Sequence, residues 1–268
     1  MSNSTNPDEQ KKLLRKVPAV KRQNSVFNSK IKKTQSPFDY LRTLKEFRHV
    51  SYHSIDLLAQ FSRFETFDSG QQIVTEGEEE GSFGYVIVTG RVSMLKKSPN
   101  GRELIVELLG PGDIFGLLLT LVAEKMPAQL STRALQKTPV LWAPIDAFSH
   151  VTSKHPELMK EIVAHLLLSL QSSYCLSRGL AHDIVKVRIA AVLVSLGIKF
   201  PDRPAPPGVI EIQFTRRQLA DLTGTTPETA IRVTREMEKQ ELLALGRPGI
   251  IQILDLEALQ KIVEDTAT

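Results

Sequence analysis

The stretch Thr215-Arg-Arg-Gln-Leu-Ala-Asp-Leu-Thr-Gly-Thr-Thr-Pro-Glu-Thr-Ala-Ile-Arg-Val-Thr-Arg-Glu-Met-Glu-Lys-Gln240 decides the fold of the C-terminal part of the chain. Thr215 followed three residues later by Gln218 is a capping box, in which hydroxyl and amide satisfy each other's backbone donors. Leu219, Ala220 and Leu222 give this first helix its apolar face, and Thr223-Gly224 breaks it. Thr226 then caps a second helix, with Pro227 at the first helical position, where its missing N–H costs nothing. Ala230, Val233 and Met237 mark the buried side of that helix, which ends near Gln240. Two short helices around a tight glycine-containing turn read as a helix-turn-helix.

The second helix carries base-reading chemistry in its N-terminal half. Arg232 can make two parallel hydrogen bonds to guanine, Glu228 can accept from cytosine, and Thr229 stands beside them. Thr215, Arg216, Arg217, Thr225, Thr226 and Arg235 can hold phosphates, together with the N–H groups of the helix N-terminus. Leu242 to Ile253 reads as a β-hairpin, a wing, with Arg247 at its tip. Charge alone does not make the case. Residues 215–247 hold six basic and five acidic groups, a net of only +1. Caps, turn and wing carry the argument.

Upstream, Asp183 is placed to cap a helix running to about Leu196, with Gly197 as its stop, and a loop with Pro201, Pro204, Pro206 and Pro207 follows. Before this region, residues 156–182 form one long helical pattern. Met159, Val163, Leu166, Leu170, Ser173, Ser177 and Leu180 recur at steps of four and three, a heptad seam that a second copy of the chain could cover. Residues 64–148 follow a different period. Gln72–Thr75, Tyr85–Thr89, Val92–Leu95, Leu104–Leu108 and Val140–Ala143 are short β-rich runs separated by turn residues, which predicts an antiparallel sandwich or barrel. Asn100-Gly101 between two such runs is a hairpin turn. Phe38, Leu41, Leu44 and Phe47, then Ile55, Leu57, Leu58 and Phe61, predict one or two short helices ahead of the strands.

The chain has 268 residues, 41% hydrophobic and 24% charged, with a net charge of +4. Residues 1–33 hold nine basic and two acidic residues, so this segment carries +7 and the remainder −3. Rich in Asn, Ser, Gln and Thr, it is expected to be a disordered, solubilising tail. No apolar run approaches the ~20 residues of a membrane helix, and the N-terminus has no apolar signal segment. A cytoplasmic location with no membrane partner is expected. The single cysteine, Cys175, excludes an internal disulfide, a cysteine-rich zinc site and an all-cysteine iron–sulfur cluster within one chain. Of six histidines only His49 and His53 stand at helical spacing, and nothing nearby completes a metal set. There is no nucleophile elbow, no Walker loop, and the glycines at 110, 112 and 116 have the wrong spacing for a dinucleotide fold, so no enzyme is expected.

The order of parts resembles the catabolite activator protein and FNR family of bacterial transcription regulators. Gly77-Glu78, Tyr85-Val-Ile-Val-Thr-Gly90, Gly101-Arg-Glu-Leu and Gly110-Pro-Gly-Asp-Ile-Phe-Gly116 are similar to the turns of that family's β-roll. Val187-Arg-Ile-Ala190 resembles its first helix after the hinge, and Thr225-Thr-Pro-Glu-Thr-Ala-Ile-Arg232 its recognition helix. The resemblance implies an α+β chain with four parts: a tail (1–36), a β-roll sensing domain (37–155), a dimerisation helix (156–182) and a winged helix-turn-helix domain (183–268). It implies a homodimer on a near-palindromic double-stranded DNA site, an RNA polymerase partner and a small-molecule effector. Pro227 replaces an arginine of the cyclic-AMP-binding member, so the operator sequence does not carry over whole.

The effector is where the match departs. In members that bind cyclic AMP, a glutamate follows the Phe-Gly of the cassette, and an Arg-Ser or Arg-Thr pair neutralises the phosphate. Here Leu117 follows Gly116, Leu118 continues the apolar run, and the segment matching the arginine reads Pro127-Ala128-Gln129. A buried phosphate without its cation is an unpaired buried charge. Cyclic AMP in the usual mode is therefore not expected. Ser172 and Ser173 match hydroxyls that touch adenine. With Gly116, Leu117, Leu118, Ala128 and Gln129 they form the candidate effector pocket, whose ligand the sequence leaves unknown. Haem stays open, with His150, His155, His165 or Cys175 as ligands that no spacing selects. A cyclic-nucleotide-binding regulatory module without a DNA role is the alternative function, and it would require an intact phosphate cassette.

Overall fold

The computed structural model describes residues 36–78, 83–98, 101, 103–117, 127–164, 166, 167, 170, 179, 183–199 and 209–264. All of the expected tail 1–36 but Ser36, with Asn100, Leu118, Ser172, Ser173, Ser177, Leu180 and the proline-rich loop 201–208, lies outside those residues. Two compact units divide the chain, residues 1–93 with 108–168 and residues 94–107 with 169–268.

In the first unit, Ser36 caps helix α1 (Pro37–Thr43) by accepting from the Asp39 N–H at 3.1 Å. A 3-10 turn (Lys45–Phe47) and α2 (Tyr52–Phe61) complete the pair of short helices expected from the apolar spacing. Eight strands follow along the chain: β1 (Arg63–Phe67), β2 (Gln72–Val74), β3 (Phe83–Ile87), β4 (Val92–Lys97), β5 (Glu103–Leu109), β6 (Ile114–Phe115), β7 (Ser131–Ala134) and β8 (Thr138–Pro144), with residues 94–107 of the β4–β5 hairpin grouped with the second unit. They form two four-stranded sheets with orders β1-β8-β3-β6 and β2-β7-β4-β5. The expected runs correspond to β2, β3, β4, β5 and β8. Strands β1, β6 and β7 are additional. Ser131-Thr-Arg-Ala carries no apolar run. It becomes a strand because β2 lies beside it, Gln72 opposite Arg133.

Helix α3 (Ile145–Lys154) and the start of α4, described over residues 156–164, return over the outside of the first sheet. Leu41, Phe47, Leu58 and Phe148 are 0–1% exposed and pack with Val86, Leu141 and Ala143 of the sheet. Leu158 and Ile162 of α4 join this cluster, and Leu166 leans on it. This refines the seam read from the heptads. Leu166 is on the core side of the helix, while Leu167, outside the heptad set, is 57% exposed beside Val163 and Leu170. The helix covers its own sheet with residues four apart, so one heptad count cannot sort its two faces.

The second unit holds α5 (Val185–Lys199), β9 (Ile210–Gln213), α6 (Arg216–Thr223), α7 (Pro227–Lys239), β10 (Leu243–Ala244), β11 (Ile250–Ile253) and α8 (Leu256–Glu264). Its sheet has three strands in the order β10-β11-β9, not the two expected. Ile250 to Ile253 pairs with Gln213 to Ile210, so β11 is central. Helix α8 was also not expected. Asp255 starts it by accepting from the Ala258 N–H at 2.8 Å, and Leu259 is fully buried against the helical layer. Gly197 does not stop α5; the helix continues to Lys199. A Cβ at Gly197 would sit 3.0 Å from Ile253 Cδ1 and 3.6 Å from Ile210 Cδ1. The missing side chain lets the sheet approach the helix, a packing role that the sequence pattern does not separate from a C-cap.

Candidate nucleic-acid interface

Both caps of the helix-turn-helix form. Thr215 Oγ1 accepts from the Gln218 N–H at 3.1 Å, and Gln218 Oε1 accepts from the Thr215 N–H at 2.7 Å. Helix α6 ends at Gly224, whose φ of 60° and ψ of 38° place it in the left-handed region that glycine tolerates. The N–H groups of Gly224 and Thr225 both reach the Ala220 carbonyl. Leu219, Ala220, Ala230 and Met237 are fully buried where α6, α7 and α5 meet. Thr223 and Thr234 are buried too, each donating its hydroxyl at 2.7 Å to the carbonyl four residues earlier. These buried hydroxyls are satisfied within their own helices.

The opposite face of α7 is open. Glu228 and Arg232 are exposed, and Thr229 is half-buried beside them. Thr226 Oγ1 accepts from the Thr229 N–H at 3.3 Å. The Glu228 carboxylate is held below its ordinary pKa of 4.5 by its own backbone N–H first, then by the Thr226 hydroxyl and the charge of Arg217. The two donors expected to face a phosphate at this N-terminus are thus engaged within the protein, and Pro227 has none. At α6 the Arg216 and Arg217 N–H groups have no partner among the described residues. The exposed side chains of Arg217 and Arg235 hold no hydrogen bond or ion pair there either. The donors of the motif left open by the protein's own hydrogen bonds therefore lie mostly on α6 and on arginine heads.

Two carboxylates of α7 that the sequence reading did not single out act on neighbours. Arg232 Nη1 donates to Glu236 Oε1 at 2.9 Å. Glu238 Oε1 accepts from the Leu245 N–H at 2.9 Å and ties the root of the wing to the helix. The first pair was legible from its spacing of four, whereas the second depends on where β10 returns. The helix closes with Glu241 at φ 58°, while the Glu241 and Leu242 N–H groups bond to Glu238 and Met237 carbonyls at 3.0 and 3.1 Å. Beyond it, Arg247 stands exposed at the wing tip, over an open hollow of about 240 Å³ shared with Ala244, Gly246, Ile250 and Gln252.

The helix-turn-helix and its wing fall inside residues 187–262, which match the Crp-like helix-turn-helix domain model, while residues 64–155 match the cyclic nucleotide-binding domain model. The chain belongs to the Crp/Fnr family of transcription regulators. Among relatives of this regulator, the cAMP-activated global transcriptional regulator CRP of Escherichia coli O157:H7 is 28% identical over 185 residues, covering 69% of this chain and 87% of that one. The CRP-like cAMP-activated global transcriptional regulator of Mycobacterium tuberculosis (strain ATCC 25618 / H37Rv) is 24% identical over 195 residues, 73% and 85% of the two chains. A CRP/FNR-family transcriptional regulator from Thermus thermophilus superposes with a TM-score of 0.63 at 25% identity, covering 76% of this chain and all of that one. FixK2 of Bradyrhizobium japonicum shares the fold, with a TM-score of 0.64 at 22% identity over 75% of this chain and 96% of that one. The Crp/Fnr protein is accordingly a DNA-binding transcription regulator with a cyclic-nucleotide-binding-type β-roll.

The roll-side candidates are less gathered. Gly116 follows β6 at φ 81°. The Leu117 side chain is 4% exposed and belongs to the layer between the first sheet and the helices, near Phe148. Ala128 pairs through its backbone with Gly77 and Glu78, and Gln129 turns its amide to the Pro127 carbonyl at 3.0 Å. Inside the roll, Tyr85 and Phe115 stack with ring centroids 4.8 Å apart. Among the described residues no three metal-ligating side chains come together, and no helix is long and apolar enough to cross a membrane.

Proposed function

We propose that the protein acts in the cytoplasm as a homodimer that reads a near-palindromic promoter site. The two copies of α7 would enter successive major grooves about 34 Å apart. The single observation that carries this is the capped helix-turn-helix, which turns Glu228, Thr229 and Arg232 outward on one face of a helix braced by a fully buried opposite face. Arg232 and Glu228 serve as base readers. Arg216, Arg217, Arg235 and Arg247, with the N-terminal N–H groups of α6, serve as phosphate contacts that set register. Thr215, Thr225 and Thr226 hold the two helix starts at the backbone of the duplex.

The dimer reading draws support from the helical residues Val163, Leu167 and Leu170, which are 40%, 57% and 45% exposed. A second copy of these residues is the occupant with matching chemistry. The effector is a small molecule other than cyclic AMP in the usual mode. Leu117 stands where the resemblance calls for a carboxylate, the segment Pro127-Ala128-Gln129 supplies no guanidinium where it calls for one, and the Leu117 side chain is buried in an apolar layer. Contact with RNA polymerase from the DNA-bound dimer completes the proposal.

Fluorescence anisotropy with promoter duplexes, against excess bulk DNA at moderate salt, tests it together with sedimentation of the free protein. Selective binding by a dimer is expected, and Arg232→Ala should cost about 1–3 kcal/mol and relax preference at one base pair. A monomer that binds all duplexes alike overturns the proposal.

A further inference from the structure

Glu228, Arg232 and Glu236 stand four residues apart on α7 and so share one face of the helix, and all three are exposed. Glu228 is held at the helix start by its own N–H and the Thr226 hydroxyl. Arg232 is held from the other side, by the 2.9 Å bond from Nη1 to Glu236. On the same helix Arg235 has no such partner among the described residues. An exposed pair with arginine N-terminal to the acid adds little to helix stability. A carboxylate turned toward a duplex also opposes binding on every sequence. What Glu236 does supply is a fixed direction for the guanidinium.

A guanidinium offers its donors along two edges. With Nη1 engaged, the Nε–Nη2 edge is whole and can form two parallel bonds to guanine O6 and N7. An untethered arginine divides its time between bases and phosphates, and gains affinity without discrimination. We infer that Glu236 is a positioning residue for base recognition, holding Arg232 on the base and trading affinity for specificity. The inference rests on the reading that α7 enters the major groove.

Selection from a pool of random-sequence duplexes by the full-length protein tests it, with Arg232→Ala, Glu236→Ala, Glu236→Gln and the double variant beside the wild type. Arg232→Ala marks the base pair in question. Glu236→Ala is expected to keep the rest of the motif, to weaken preference at that pair about three- to tenfold, and to bind unrelated duplexes about two- to fivefold more tightly at low salt. Glu236→Gln keeps an acceptor for Nη1, so it should retain most of the preference while sharing the gain in affinity. The double variant should discriminate no worse than Arg232→Ala alone, because the two side chains act as one unit. Circular dichroism and thermal midpoints separate a folding defect from altered recognition. A lower midpoint with an unchanged motif in Glu236→Ala overturns the inference while leaving the major-groove reading intact. A wild type that selects no motif, or an Arg232→Ala motif identical to the wild type's, overturns that reading and the inference with it.

Discussion

Replacing Glu241 by glycine should make the DNA-binding unit more stable. Among the described residues Glu241 is the one non-glycine at positive φ, at 58°. It sits just past the end of α7, where the Leu242 N–H returns to the Met237 carbonyl at 3.1 Å and the Glu241 N–H to Glu238 at 3.0 Å. This is the six-to-one and five-to-two pairing that usually places glycine at this position. The left-handed conformation costs a residue with a Cβ about 1–2 kcal/mol. Glycine avoids that cost but gives up about 0.5–1 kcal/mol through its freer unfolded chain. The net expectation is about 0.5–1 kcal/mol of added stability, or roughly 2–8 °C in melting midpoint for a domain below about 100 residues. Thermal and urea unfolding followed by circular dichroism measure it, with Glu241→Ala as the control that shortens the side chain but keeps the strain. Because Glu241 lies off the base-reading face, affinity for DNA should not change. A glycine variant no more stable than the alanine variant would refute the strain argument.

Thr215→Ala removes the acceptor for the Gln218 N–H and leaves the Gln218 side chain with half of its box. Urea titration should show a loss of about 1 kcal/mol. Gly197→Val places branched carbon against Ile253 and Ile210 where contact is already close, and should lower stability by about 1–3 kcal/mol in the same assay. For Glu228 the sign follows from its lowered pKa. A carboxylate held below 4.5 is fully ionised well above that pH, so what it contributes is complete there and is lost as pH falls through the lower value. The ratio of wild-type to Glu228→Gln discrimination at the base that Glu228 reads should therefore be the same at pH 5.5 and 7.5. A ratio that collapses at the lower pH would show the carboxylate titrating above its ordinary range, opposite to the direction set by the helix start.

The capped pair Thr215–Gln240 was legible because its signals are local. A hydroxyl three residues ahead of an amide, a proline at a first helical position and a glycine at a left-handed cap each act within one turn of chain. The eight-strand roll was legible in its apolar members, such as Phe83–Ile87. It was silent in Arg63–Phe67 and Ser131–Ala134, whose strand character comes from the partners Leu141 and Gln72 rather than from their own side chains.

Local chemistry thus determined on its own that Arg216–Thr223 and Pro227–Lys239 become helices, where those two are capped, and which of their side chains have the chemistry to read a base. The tertiary structure alone decided that Gly197 is a contact and not a stop, that β9 completes the wing sheet, and that Leu166 faces the core. It alone decided that the wing is tied to α7 through Glu238. Each of these depends on atoms distant in sequence arriving at van der Waals or hydrogen-bond distance, which a one-dimensional pattern does not encode.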